Sequence, residues 1–106
     1  MEVQYQKENK QLRIMITEDL DHHTVEKLRR KADYEIERHI PKKVIFDFSK
    51  VTFMDSAGIG LLLGRYKNTT IFGGQLEIEN VNEQVEKILN LSGITKLIPI
   101  HKEECA

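Results

Sequence analysis

Residues 44–68 constrain the fold most tightly. The five-residue apolar run VIFDF (44–48) gives way to VTFMDSAGIGLLLGRYKN (51–68), an acid and a hydroxyl followed by an apolar helical stretch with three glycines. A short run rich in β-formers reads as an internal strand covered on both faces. Asp55 or Ser56 can cap the helix that follows, because a side-chain oxygen there can accept a bond from an orphan N–H. The reciprocal capping box is absent, since Ile59 stands three residues after Ser56. Ser56 therefore lies at the positive end of a helix dipole, a position suited to phosphate.

Each of Gly58, Gly60 and Gly64 costs about 1 kcal/mol relative to alanine inside a helix. At 100° per residue, Ile59, Leu62, Leu63 and Tyr66 form the expected core stripe. Ala57, Gly64 and Asn68 fall opposite, flanked by Gly60, Leu61 and Arg65. A smooth outer face with Leu61 exposed beside it predicts close approach by another protein's backbone. Gly60 has a second reading, in which it lets the helix lie close to its own sheet.

The other elements follow from periodicity. Val3 and Tyr5, then Leu12, Ile14 and Ile16, alternate with polar residues about a turn at 8–10 and predict a hairpin. Asp21 precedes a helical face of Val25, Leu28, Ala32 and Ile36, which Pro41 stops. Gly73–Gly74 leads into an alternating strand with Leu76 and Ile78. Val85, Ile88 and Leu89 mark a third helix, ended by Gly93. Leu97, Ile98 and Ile100 suggest a last edge strand interrupted by Pro99. Alternating strands and helices predict one α/β domain over residues 1–106, with three to four helices. Its sheet of four to five strands is mostly parallel, with an antiparallel edge strand. The rim at the carboxyl ends of the parallel strands then holds 17–21, 49–56 and 79–82, making Asp21 and Ser56 neighbours.

Composition excludes several classes. A net charge of −1 gives no long-range attraction to nucleic acid or an acidic membrane. No apolar run approaches the roughly 20 residues of a spanning helix, and no signal peptide opens the chain. Cys105 is the single cysteine, so there is no disulfide framework and a cytoplasmic setting is expected. A serine hydrolase fits poorly, because Met54 and Gly58 stand where G-x-S-x-G needs glycines on both sides. His22 and His23 are consecutive, would point about 100° apart on a helix and cannot chelate one ion, so no metal site is expected. Gly58, Gly60 and Gly64, with Glu77 downstream, resemble a dinucleotide fingerprint only loosely. They lie inside a helix instead of in a strand-to-helix turn. No catalytic residue and no cofactor is expected.

MDSAGIGLLLGRYK (54–67), LDHHT (20–24), the glycine pair at 73–74 and the helix ending in LSGITKLI (91–98) together resemble the STAS domain of anti-sigma factor antagonists. The similarity covers nearly the whole chain in order. It implies a partner that is both an anti-sigma factor and a serine kinase. The unphosphorylated protein would bind this partner and free the sigma factor; phosphorylation of Ser56 would release it, and a serine phosphatase would restore it. The implied contact residues are Asp21, Asp55, Ser56, Ala57, Gly58, Gly60, Leu61 and Gly64, on a protein expected to be a free monomer. The sequence departs from the family pattern at Glu18, where glycine is usual, and at Ala57, where serine or threonine often follows the modified serine. The resemblance points to control of sporulation transcription. The alternatives are a general-stress antagonist or a nucleotide- or small-molecule-binding module.

Overall fold

A computed structural model describes residues 1–102. The strands are β1 (Glu2–Gln6), β2 (Gln11–Met15), β3 (Lys43–Asp47), β4 (Gln75–Val81) and β5 (Ile100–Lys102). The helices are α1 (Val25–His39), α2 (Ser56–Ile71) and α3 (Glu83–Ser92), with a 3₁₀ turn at Ile94–Lys96. The sheet order is β1-β2-β3-β4-β5. β1 pairs antiparallel with β2, and every later pair is parallel. The hairpin, the parallel sheet and the antiparallel edge strand all stand as the residue pattern predicts.

The strand order advances in one direction from β2 to β5. Right-handed crossovers that all step the same way place all three helices on one face. That face carries Val3, Tyr5, Leu12, Ile14, Val44, Phe46, Leu76 and Ile78 in register. These residues join Leu28, Leu62, Val85 and Leu89 of the helices in one apolar cluster.

No described helix covers the other face, yet β3 is buried on both sides, as expected. Ile45 is buried there but lies outside the core cluster. It sits in register between Arg13 and Glu77. Long polar side chains cover this face through ion pairs: Arg13 Nη2 to Asp47 Oδ2 (3.2 Å) and Glu79 Oε1 (2.8 Å), and Lys43 Nζ to Glu77 Oε2 (3.0 Å).

Each helix end has a physical cause. Ile40, in the left-handed region at φ 45°, caps α1 by donating its N–H to the Ile36 carbonyl, and Pro41 follows. The Asn82 side chain accepts from Val85 N and starts α3; Gly93 closes it at φ 80°. Gly74 allows a close approach, since an added Cβ would lie 2.6 Å from the Pro41 carbonyl oxygen. The last strand is shorter than expected and starts only after Pro99. Ile98 is fully buried outside any strand, whereas Leu97 is half exposed. Cys105 lies outside the described residues.

Candidate functional site

Two loops at the carboxyl rim of the sheet build the site, and they are laced together. Leu20 and Met54 form an isolated parallel bridge, with Leu20 N donating to the Phe53 carbonyl and Asp55 N to the Leu20 carbonyl. Asp19 Oδ1 accepts from Thr52 N (3.1 Å), Thr52 Oγ1 (3.0 Å) and Phe53 N (3.2 Å). Burial alone would raise the Asp19 pKa, but these bonds to the charged form outweigh it and hold the carboxyl below its ordinary range. Asp21 Oδ1 accepts from His23 N and Thr24 N, closing the turn before α1. Thr24, not Asp21, is the capping position of α1.

On the second loop, Asp55 is the N-cap of α2. It is extended at φ −114°, and its side chain accepts from Ala57 N at 2.8 Å. This settles which of Asp55 and Ser56 caps the helix. Ser56 is the first helical residue and is exposed. Its hydroxyl makes no hydrogen bond to another described residue. His22 Nδ1 lies 4.0 Å from Asp55 Oδ2, and the His22 and His23 rings stack tilted at 3.9 Å. The rim thus brings Asp21, Asp55 and Ser56 onto adjoining loops, as expected.

The face of α2 differs from the expectation. Its buried positions are Gly58, Leu61, Leu62, Arg65 and Thr69, a stripe rotated by about one residue's 100° from the apolar one. Leu61 is only 4% exposed and belongs to the core, so it cannot serve on an outer contact surface. Gly58 is buried as well. An added Cβ would meet Met54 Cε at 2.9 Å and Leu20 Cβ at 3.0 Å, so this glycine lets the bridged loops close over the helix start. The rotated stripe buries Arg65 together with Leu61 and Leu62. The Arg65 Nε contacts Asp33 Oδ1 of α1 at 2.7 Å as an ion pair without hydrogen-bond geometry, which places a charged residue in the interface. Ile59, Leu63 and Tyr66 lie on the flank, partly buried against the core.

Ser56, Gly60 and Gly64 fall along the outward side, and nothing lies within 4 Å of a Cβ added at either glycine. Gly60 is therefore not a contact with its own sheet. Sequence reasoning missed two rim features. The Asp19 staple reaches 33 residues along the chain and leaves no periodic trace. Phe53 stands 45% exposed beside the site. An aromatic residue between a strand end and a helix cap, flanked by the polar Thr52, was the available signal.

His101 pairs with Glu77 Oε1 at 2.9 Å, away from Ser56. No imidazole hydrogen-bonds the Ser56 hydroxyl among the described residues. There is also no group of three His, Cys, Asp or Glu residues placed to hold a metal among them. No described helix is long and apolar enough to cross a membrane.

A mostly parallel sheet with its helices on one face, and an exposed serine at a helix start on its rim, defines a small α/β domain. The chain belongs to the STAS-domain family, whose model matches residues 2–104. It is 35% identical over 91 residues to an anti-sigma F factor antagonist of Paenibacillus polymyxa, spanning 86% of this chain and 78% of that one. The fold is similar to that of the unphosphorylated anti-sigma factor antagonist SpoIIAA, with a TM-score of 0.79 at 28% identity, covering 96% of this chain and 88% of the other. It is also similar to the phosphorylated form of the Bacillus cell fate determinant SpoIIAA. There the TM-score is 0.70 at 27% identity, with 96% and 91% covered.

Proposed function

We propose that this protein is an anti-sigma factor antagonist switched by phosphorylation of Ser56. One observation carries the reading: Ser56 heads an outward strip of α2 on which Gly60 and Gly64 add no side chain, and its hydroxyl makes no hydrogen bond among the described residues. A partner's backbone can approach such a strip closely. Asp21, Asp55 and Ala57 border it, and Phe53 supplies an apolar contact next to it.

The partner is an anti-sigma factor with serine kinase activity, and its capture frees the sigma factor. Phosphoserine adds about −1.5 to −2 charges at the point of closest approach. The phosphate must shed water against a surface shaped for a small hydroxyl, and a penalty of about 3 kcal/mol already weakens affinity more than a hundredfold. Release follows without refolding, and a serine phosphatase resets the site. The protein acts by binding and has no catalysis of its own. The similarity to anti-sigma F factor antagonists supports a place in sporulation transcription.

Mass spectrometry after incubation with ATP and an anti-sigma F kinase tests the reading. One phosphate should appear on Ser56, and none on a Ser56→Ala variant that still binds the kinase. Phosphate at any other residue of that variant overturns the assignment.

A further inference from the structure

We propose that His22 is an intramolecular cation for the phosphoryl group on Ser56, positioned by the laced loops; the inference rests on Ser56 being the modified residue. The Leu20–Met54 bridge and the Asp55 N–H to Leu20 carbonyl bond fix the 20–24 turn against the start of α2. His22 is thereby held at the rim, with Nδ1 4.0 Å from Asp55 Oδ2, although its ring is largely exposed. Asp55 spends its other oxygen, Oδ1, on the Ala57 N–H. A phosphoryl group on the adjoining residue would bring up to two negative charges beside that carboxylate. Among the described residues, the imidazole is the one cation-forming group within ion-pair distance of Asp55, and it would serve both anions.

The surrounding groups favour this role. Asp21 Oδ1 is turned to the N–H groups of His23 and Thr24, while Asp19 Oδ1 is held by Thr52 and Phe53. Glu26, in the first turn of α1, is paired with Arg29. Among the described residues, only Asp55 has a carboxylate oxygen within ion-pair distance of His22. His23 stacks on the His22 ring and has no acidic partner of its own among the described residues. A phosphoserine with a second pKa of about 6 and an imidazolium beside it form a coupled pair. Each favours the charged form of the other: the histidine pKa rises and that of the phosphate falls.

The test uses full-length protein with phosphoserine installed at position 56 during synthesis, so that it does not depend on any kinase. ³¹P NMR titration reads the second phosphate pKa in the native sequence and in His22→Gln and His23→Gln. The His22→Gln value should lie about 0.5 unit above the native one, and His23→Gln should leave it unchanged. The His22 ring signals should titrate higher in the phosphoprotein than in the unmodified chain. An unchanged phosphate pKa in His22→Gln overturns the proposal, and so does an equal rise in both variants. If Ser56 is not the kinase target, that appears separately as missing phosphate in the kinase experiment, while this titration still reports on His22.

Discussion

Asp19 accepts both the backbone N–H and the hydroxyl of Thr52, 33 residues further along the chain, and so fastens the first rim loop to the second. Because the folded-state pKa of Asp19 lies below its unfolded value, the unfolded chain binds more protons through that interval. The stabilisation is complete above the ordinary aspartate pKa of about 3.9 and is lost as pH falls through the lower folded value. Asp47 is shifted the same way: burial opposes it, but bonds from Asn80 and Ser49 and the Arg13 charge prevail. Asp19→Asn should cost about 1 kcal/mol at pH 7, a modest figure because the staple is solvent-exposed. Its deficit should vanish at the acid end of a urea-denaturation series run from pH 7 to pH 2. A constant deficit across that range would show that charge plays no part.

Ser56 and Asp55 should separate cleanly in stability. Only Asp55 caps α2, so Asp55→Ala should cost about 1 kcal/mol, while Ser56→Ala should change stability by less than about 0.5 kcal/mol. Thermal denaturation of the two variants under one condition checks the order. If Ser56→Ala were the more damaging change, the free-hydroxyl reading of the site would fail with it.

The three glycines of α2 should respond in opposite directions. At Gly58 an added Cβ meets Leu20 Cβ at 3.0 Å and Met54 Cε at 2.9 Å. The methionine end can move, but the leucine Cβ cannot without shifting the bridged loop. Overpacking of about 1–3 kcal/mol should therefore exceed the roughly 1 kcal/mol gained in helix propensity, and Gly58→Ala should lower Tm. Gly60→Ala and Gly64→Ala meet nothing within 4 Å and should each raise stability by up to about 1 kcal/mol. Gly64→Leu should fold yet weaken anti-sigma factor binding by more than about tenfold, because the side chain holds the two surfaces apart. Undiminished affinity by calorimetry would remove this strip from the interface.

The contrast among these glycines also shows where sequence reading stops. Alternation at Leu12 and Ile14, the helical spacing of Leu28, Ala32 and Ile36, and the punctuation by Pro41 and Gly93 are local signals. They place every strand and α-helix but the shortened β5, and give no sign of the 3₁₀ turn at Ile94–Lys96. The rotation of α2 is a tertiary property. Ile59, Leu63 and Tyr66 carry the apolar weight of the sequence wheel, yet the helix turns Arg65 inward, where it pairs with Asp33 of α1. A hydrophobicity pattern assigns an arginine to solvent, whereas here Arg65 is buried on the same stripe as Leu61, which the pattern places on the contact surface. Ile45 is buried as the pattern predicts, on a face that no described helix covers. Ser56 was likewise legible, because a hydroxyl at a helix start needs only its immediate neighbours to define it.

The Arg65–Asp33 pair supplies the last prediction. Arg65 is buried, and desolvation lowers its pKa against the opposing attraction of Asp33. Its Nη1 has no hydrogen-bond partner among the described residues, so the interface satisfies the guanidinium incompletely. Removing the acid alone leaves a buried cation with less compensation, and Asp33→Ala should cost about 2–3 kcal/mol. This is below the usual figure for a fully buried pair because the Asp33 side chain keeps 22% exposure. Replacing the cation by an unbranched apolar side chain removes the desolvation cost together with the attraction. Arg65→Met should therefore stay within about 1 kcal/mol of the native protein or exceed it. Asp33→Ala combined with Arg65→Met should recover most of what Asp33→Ala loses. Urea midpoints at unchanged m-value measure all three. A loss in Arg65→Met as large as that in Asp33→Ala would mean that the ion pair outweighs its desolvation, and the inward turn of α2 would then be a source of stability instead of a constraint on its orientation.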